Sequence, residues 1–570
     1  MQRHHPAHHT TTSDLDVIGG GTTGASLAAA AARRGQSVAL VEKGDFGGAT
    51  SSASSKLLHG GIRYLQQLNF AKVRESARER IYFQQLAPHL THYIPFIIPT
   101  YSGLSKGRFV MRSAMMLYEL ICSGLNGLLS DTAKRVPGSR MLSRAQVSEL
   151  VPGLEADRLT GGVAFYESHM FSSERMTLAF IESAVQHGAV AANYLEVETF
   201  SGLEQGRIQG VEVRNRLDNI RFEIRANRVI NAAGPWIPML NQHFTGENDA
   251  SGNPETIVSA YSKGAHIVAR PLTREVAVAL PTRKQNQAVI NRGGRHVFII
   301  PWRGYSLIGT TYGAFDDDLD SVGATDADID EMLEDINDAF EDRENDDESS
   351  HAVGREDVVH AFAGIYPLID DVIQKNVYQG TGKYQIVDHA ETHQLAGLYS
   401  VFGAKYTTAR LLAEKALDRI TATMGKQISS CRTRSSRLQA GDIEDLQAFK
   451  AEQHAHYDDK LSSEVVENLV NLYGTHVQDI VELIDADPAL GRPLQENGTT
   501  LAAQMVYAVR NEMACHLEDV IFRRTGLGTV GNPGHAILHQ CATLMGQELG
   551  WDPQRIDQEV KQTLSRFPIQ

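Results

Sequence analysis

A chain of 570 residues exceeds what one hydrophobic core organises, and 42% apolar residues fill two or three packed units, which excludes disorder as the main state. Charged residues at 22%, with 49 glycines and 18 prolines, exclude collagen-like, low-complexity and coiled-coil classes. A net charge of −15 without clustered Lys and Arg excludes a nucleic-acid groove.

The first residues, MQRHHPAHHTTTSD, lack the apolar core of a signal peptide, and nothing orders their four histidines into a metal site. Residues 1–13 are therefore expected to be a disordered tail. Cys122, Cys431, Cys515 and Cys541 lie far apart with no C-x-x-C pair, so no metal site is expected and a reducing cytoplasm fits best.

The strongest local signal begins at Asp14. Leu15–Ile18 reads as a short strand, Gly19, Gly21 and Gly24 form G-x-G-x-x-G, Ala25–Arg34 reads as an alanine-rich helix, and Val38–Val41 as a second strand ending at Glu42. The first glycine permits a tight turn, the second lets backbone approach a pyrophosphate, and the third lets helix and strand pack closely. Glu42 stands where a carboxylate accepts hydrogen bonds from a ribose. Strand, helix, second strand and acid in register point to a dinucleotide.

The segment Gly47–Tyr64 packs Thr50, Ser51, Ser52, Ser54 and Ser55 into a small-residue loop followed by Lys56, His59, Arg63 and Tyr64. Hydroxyls and closely spaced backbone N–H groups suit a second phosphate and a ring edge. Further on, Phe109–Leu129 carries Arg112 and Glu119, falls short of a membrane span, and repeats Ala114, Leu117, Tyr118, Ile121, Leu125 and Leu128 at helical spacing. One buried helix stripe is expected, a membrane-surface face being the alternative.

Ile208–Arg214 and Phe222–Arg225 alternate as a strand pair before a strand at Val229–Gly234, and Ala265–Val268 and His296–Pro301 belong to a further antiparallel sheet. Phe315–Ser350 holds seventeen acids against Arg343, leaving the rest of the chain near neutral. Ile329, Met332, Leu333, Ile336 and Phe340 keep helical spacing, so the acids should form the solvated face of a surface helix, with a docking site for a basic partner as the alternative. Residues 430–570 read as helical, with Val465, Leu469 and Leu472 on one stripe and Met505–Phe522 on another, forming a cap or dimerisation domain.

Together with the strand ending Asn231-Ala232-Ala233-Gly234-Pro235-Trp236, with Ser262–His266, Val297–Thr311 and Ser400–Arg410, and with Ala508–Thr525, these stretches resemble the FAD-dependent glycerol-3-phosphate dehydrogenases of the D-amino-acid oxidase superfamily. The resemblance implies an α/β fold with an interrupted Rossmann-like FAD-binding domain, in segments near 14–70, 160–240 and 355–429. Insertions near 71–159 and 241–354 would form an antiparallel-sheet substrate domain, and 430–570 the C-terminal helical domain.

It also implies FAD held by Gly19, Gly21, Gly24, Glu42, Thr50, Ser51, Ser52, Ser54, Ser55, Lys56, Gly234, Gly403, Thr407 and Thr408. His59, Arg63, Tyr64, His266 and Lys405 would carry the chemistry: oxidation of a secondary alcohol, sn-glycerol 3-phosphate in this family, with electrons leaving to quinone. A base must reach the hydroxyl and cations must hold the substrate. The implied setting is cytoplasmic, with a peripheral contact on the inner face of the cell membrane, while oxygen as acceptor and a homodimer stay open.

The phosphate end departs from the family. Where relatives carry Ser-Gly-x-Arg-Pro-Leu this chain reads Ala363-Gly364-Ile365-Tyr366-Pro367-Leu368, and Gly-Thr-Thr-Asp becomes Gly309-Thr310-Thr311-Tyr312. The family's second arginine would fall near Gly382 or Lys383, so here it is either lost or replaced by the shorter-reaching ammonium of Lys383; likewise, Tyr-x-Asp and Asp-Asp-x-Arg become Tyr166-Glu167-Ser168 and Ser172-Ser173-Glu174-Arg175. Guanidinium forks are the usual grip on a phosphate dianion. Two alternatives follow from Tyr312, Tyr366 and Lys383: a less anionic hydroxy substrate, or a non-catalytic FAD-binding protein.

Overall fold

The computed structural model describes residues 12–101, 107–154, 159–245, 260–281, 296–338, 340, 353–368, 384–425 and 428–568. Lys383, residues 1–11 of the expected tail and residues 341–350 of the acidic run lie outside the described residues. The first strand already begins at Ser13.

One sheet is built around Ser13–Ile18, which pairs in parallel with Val38–Val41 on one side and Arg221–Asn231 on the other. Leu398–Gly403 and Val190–Ala192 extend it in parallel, and Tyr384–Asp388 closes one edge antiparallel. Parallel strands need long crossovers, and here the crossovers hold the helices Thr22–Ala32 and Ser173–Gln186 against one face. The alanine run from Ala28 to Ala32 is buried against those neighbours. Leu195–Ser201 and Gly210–Asn215 form an antiparallel ribbon on the other face.

Among the described residues the second sheet has ten strands, in which Ala260–Ala269 lies between Tyr305–Gly309 and Val358–Leu368. All its pairings are antiparallel except that of Ala277–Pro281 with Thr91–Tyr101. Two strands cross the expected segment boundaries. Leu159–Met170 pairs with Thr91–Tyr101, and Val358–Leu368 with Ala260–Ala269, so both belong to the second sheet before the chain returns to the first. Long-range register decides this, and local periodicity carries no trace of it.

The Phe109–Leu129 expectation needs correction. The helix is Arg108–Cys122, Gly124 turns the chain at φ 81°, and a separate 3-10 turn covers Leu125–Leu128. Within the helix only Met115 and Tyr118 are fully buried, whereas Phe109 is 89%, Leu120 71% and Met116 60% exposed. The helix lies on the domain surface, so only one narrow stripe finds a partner. Among the described residues, no helix is long and apolar enough to cross a membrane.

The acidic helix spans Asp326–Asn337 and buries Ile329, Met332, Leu333 and Ile336 in the core of the second sheet. In the C-terminal region Ser463–Tyr473 buries Val465, Leu469 and Leu472. The expected second stripe is broken: Ala502–Glu512 stops at Met513, held at φ 56°, and a π-helical turn follows at Asp519–Arg524.

Candidate active site

A cavity of about 810 Å³ runs between the two sheets and opens on the carboxyl end of the parallel strands. Its floor is the turn from Ile18 into Thr22–Ala32. Gly19 takes φ 103°, and a methyl on Gly24 would sit 1.8 Å from the Gly19 carbonyl oxygen, so only glycine permits this approach. The amide of Thr22 is held by Ser51 Oγ at 2.9 Å.

Glu42 lines the same cavity, but its carboxylate already accepts the Gly20 amide at 2.7 Å and the Gly44 amide at 2.8 Å. Burial raises its pKa, and those two amides oppose the rise. A carboxylate has about four acceptor positions, so a ribose can still share it.

Most of the expected hydroxyls reach the same cavity. Thr50, Ser51, Ser54 and Ser55 line the cavity, together with Gly21, Gly234, Gly403 and Thr407. Ser52, Lys56 and Thr408 do not. Ser52 Oγ donates to the Ala49 carbonyl at 2.8 Å, which closes the turn. Lys56 points away from the cavity, buried in an ion pair with Glu174, and its ammonium donates to the Ser52 carbonyl at 2.8 Å. It braces the loop from behind.

At the other end His59, Arg63, Tyr64, His266 and Lys405 all line the cavity. The Lys405 ammonium donates to Tyr64 Oη and lies 4.1 Å from that ring's centroid. Burial, then Lys72 and Arg63, push the Lys405 pKa down to about 7. His59 falls to about 4 through burial and the nearby Lys405, Arg63 and Arg80, and its amide donates to Thr407 Oγ1 at 3.0 Å. His266 falls to about 3 through burial and Lys56; it meets Ser55 Oγ at 2.9 Å and stacks on Phe362 at 5.1 Å. Both imidazoles are therefore neutral at pH 7, and Lys405 sits near its midpoint.

Sequence reasoning missed the group that aims this loop. Glu167 Oε2 accepts the Gly60 amide at 2.6 Å and Arg80 Nη1 at 2.8 Å, while Tyr118 Oη donates to the Gly60 carbonyl at 3.1 Å. A methyl on Gly60 would meet Tyr118 Oη at 2.2 Å. Gly60 is thus clamped at both ends of its residue, between His59 and Arg63. The residues come from three separate segments, and no local pattern announces them. Tyr312 and Tyr366 also line the cavity. Among the described lining residues the Lys and Arg side chains are Lys43, Arg63 and Lys405, and Lys43 is paired with Asp320.

Residues 14–416 match the family described as FAD dependent oxidoreductase, and residues 431–556 the C-terminal domain of alpha-glycerophosphate oxidase. The chain belongs to the FAD-dependent oxidoreductases. It is 31% identical to a glycerol-3-phosphate dehydrogenase of Synechocystis, over 93% of this chain and 91% of that one. A glycerol-3-phosphate dehydrogenase of Mycobacterium leprae is 33% identical over 92% of this chain and 83% of its own. Among solved structures, the glycerol-3-phosphate dehydrogenase of Bacillus halodurans, complexed with FAD, superposes with a TM-score of 0.74 at 28% identity, covering 98% of this chain and 96% of that one.

The cavity of this FAD-dependent oxidoreductase fits its cofactor on local grounds. The Gly19–Gly24 turn leaves room at a helix N-terminus for a pyrophosphate, and Glu42 stands at the end of the second strand for a ribose. Thr50, Ser51, Ser54, Ser55, Gly403 and Thr407 offer small, polar walls for the remainder.

Proposed function

We propose that this enzyme oxidises sn-glycerol 3-phosphate to dihydroxyacetone phosphate and passes the electrons to a quinone. The observation that carries the reading is the convergence of Arg63, Tyr64, His59, His266 and Lys405 on one end of the cavity, in a chain similar over nearly its whole length to glycerol-3-phosphate dehydrogenases. FAD, when bound, supplies the two-electron acceptor for the carbinol carbon. The protein's part is to hold the substrate and remove the hydroxyl proton. Arg63 draws the anion, and Lys405, whose pKa of about 7 matches the working pH, takes the proton while Tyr64 orients it. Neutral His59 and His266 donate or accept hydrogen bonds around the same carbinol.

Tyr366 supports a second reading, a less anionic hydroxy compound, because it lines the cavity at the position where the family resemblance implies an arginine, and an aromatic wall holds a neutral tail better than a dianion. The purified holoenzyme is mixed anaerobically with sn-glycerol 3-phosphate or with glycerol, and flavin absorbance is followed. Bleaching by the phosphate alone supports the first reading. A flavin that stays oxidised with both refutes it.

A peripheral membrane contact has its own support in Phe109, Met116 and Leu120, exposed on one short helix with Arg108 and Arg112, and in Leu68, 72% exposed just after the cavity-lining Gln67. Anionic phospholipid vesicles should carry the protein down on sedimentation. Leu120→Glu should leave it in the supernatant, and equal sedimentation of both proteins would refute that face.

A further inference from the structure

We infer that the C-terminal helical region retains the flavin, because Arg523 and Arg524 hold Asp45 and through it the 42–51 loop that walls the cofactor cavity. This rests on the assignment of FAD to that cavity.

On its inner side the loop presents Glu42, Lys43 and Gly47 through Ser51 to the cavity. Its outer side is spanned by Asp45, which is 5% exposed as a residue, with its side chain fully covered. Arg524 grips that carboxylate with both terminal nitrogens, Nη1 on Oδ2 at 2.8 Å and Nη2 on Oδ1 at 2.8 Å. Arg523 Nε adds a bond to Oδ2 at 2.6 Å, and Asn193 Nδ2 one to Oδ1 at 3.0 Å. A forked guanidinium on a covered carboxylate fixes direction as well as distance.

The two arginines are themselves anchored in the C-terminal region. Arg524 Nη2 donates to the Glu512 carbonyl at 2.9 Å, and Arg523 Nη2 to Asp519 Oδ1 at 2.5 Å. Asp519 in turn accepts the Tyr194 hydroxyl at 2.6 Å and the amides of Cys515 and His516. Both arginines end the π-helical turn Asp519–Arg524, a local form often found at functional positions.

The loop's backbone is also tied at its ends, by the Leu195 amide to the Glu42 carbonyl at 2.8 Å and Ser173 Oγ to the Ser51 carbonyl at 2.9 Å, and within, by the Tyr194 amide to the Gly44 carbonyl at 2.9 Å and the Gly47 amide to the Gly20 carbonyl at 3.0 Å. Asp45 lies between these ties. Its clamp joins residues 478 and 479 positions apart in the chain, and it gives the helical region a direct grip on the cofactor wall.

The test follows the release of FAD from the purified holoenzyme, read as recovery of flavin fluorescence on dilution, and the melting temperatures of holo and apo protein. Asp45→Asn and Arg523→Lys should release FAD about ten- to a hundredfold faster, the fold-change for losing one hydrogen bond to a charged group. The rise in melting temperature that FAD confers should shrink in both. Leu538→Ala, which opens the C-terminal core away from the loop, should lower both melting temperatures and leave the release rate at the wild-type value. Unchanged release in Arg523→Lys overturns the inference, as does equal acceleration in Leu538→Ala. Should Asp45→Asn fail to fold, Arg523→Lys carries the test. A wild-type protein that binds no FAD would instead refute the cofactor assignment.

Discussion

Replacing Asp16 by Val should stabilise the protein, and by more at alkaline than at acid pH. Asp16 lies on the central strand, in register with Ala39 and Val229, and its side chain enters their apolar face. It is 0% exposed, and among the described residues neither carboxylate oxygen has a hydrogen-bond partner. Burial raises its pKa from 3.8 to about 7 and outweighs the opposing influence of the adjacent Val17 amide.

In the native state the group stays protonated to near neutrality, whereas in the unfolded chain it ionises near pH 4. The folded state therefore binds more protons between those values, and stability falls as pH rises through that window. At about 1.4 kcal/mol per pH unit, the loss between pH 5 and pH 8 is on the order of 3 kcal/mol. Valine has similar bulk and no charge to bury, so the variant should escape it.

The assay is thermal unfolding of both proteins at pH 5 and pH 8, compared as variant minus wild type so that all other titrations cancel. At roughly 2–4 °C per kcal/mol for a domain of this kind, the advantage of Asp16→Val should widen by about 5–10 °C. A difference independent of pH would refute the reasoning, since it would mean that the carboxylate is solvated or partnered in the folded protein.

Wild-type flavin reduction should accelerate as pH rises through about 7, where Lys405 loses its proton, and Lys405→Met should lack that limb. Its reduction should also be roughly 10²–10⁴-fold slower at an unchanged melting temperature; a persisting limb in stopped-flow data would refute Lys405 as the base. Glu167→Gln leaves the buried Arg80 without its ion pair, so a loss of about 3–5 kcal/mol in denaturant unfolding is expected, and unaltered stability would argue against that clamp. Tyr366→Arg should lower KM for sn-glycerol 3-phosphate about tenfold or more if the tyrosine is what weakens the phosphate grip, and an unchanged KM would clear it.

The dinucleotide half was legible from residues because its constraints are local. Gly19, Gly24 and Glu42 answer to a turn, a close approach and a strand end that all fall within one βαβ unit. The resemblance then brought His59, Arg63, Tyr64, His266 and Lys405 together, and the cavity holds all of them. Lys56 was misplaced because a lysine after a phosphate-like loop reads the same whether it faces the cavity or Glu174 behind it.

Composition and spacing by themselves determined a mixed α/β chain, its first βαβ unit and the buried stripe of the acidic helix, since each depends on neighbours within one local stretch of chain. Tertiary structure alone decided which sheet receives Leu159–Met170 and Val358–Leu368, and that the Arg108–Cys122 helix leaves most of its apolar side chains in the open. It alone joined Gly60 to Glu167 and Asp45 to Arg524. Those contacts link residues more than a hundred positions apart, where periodicity carries no information and pairing is set by which surfaces the whole fold brings together.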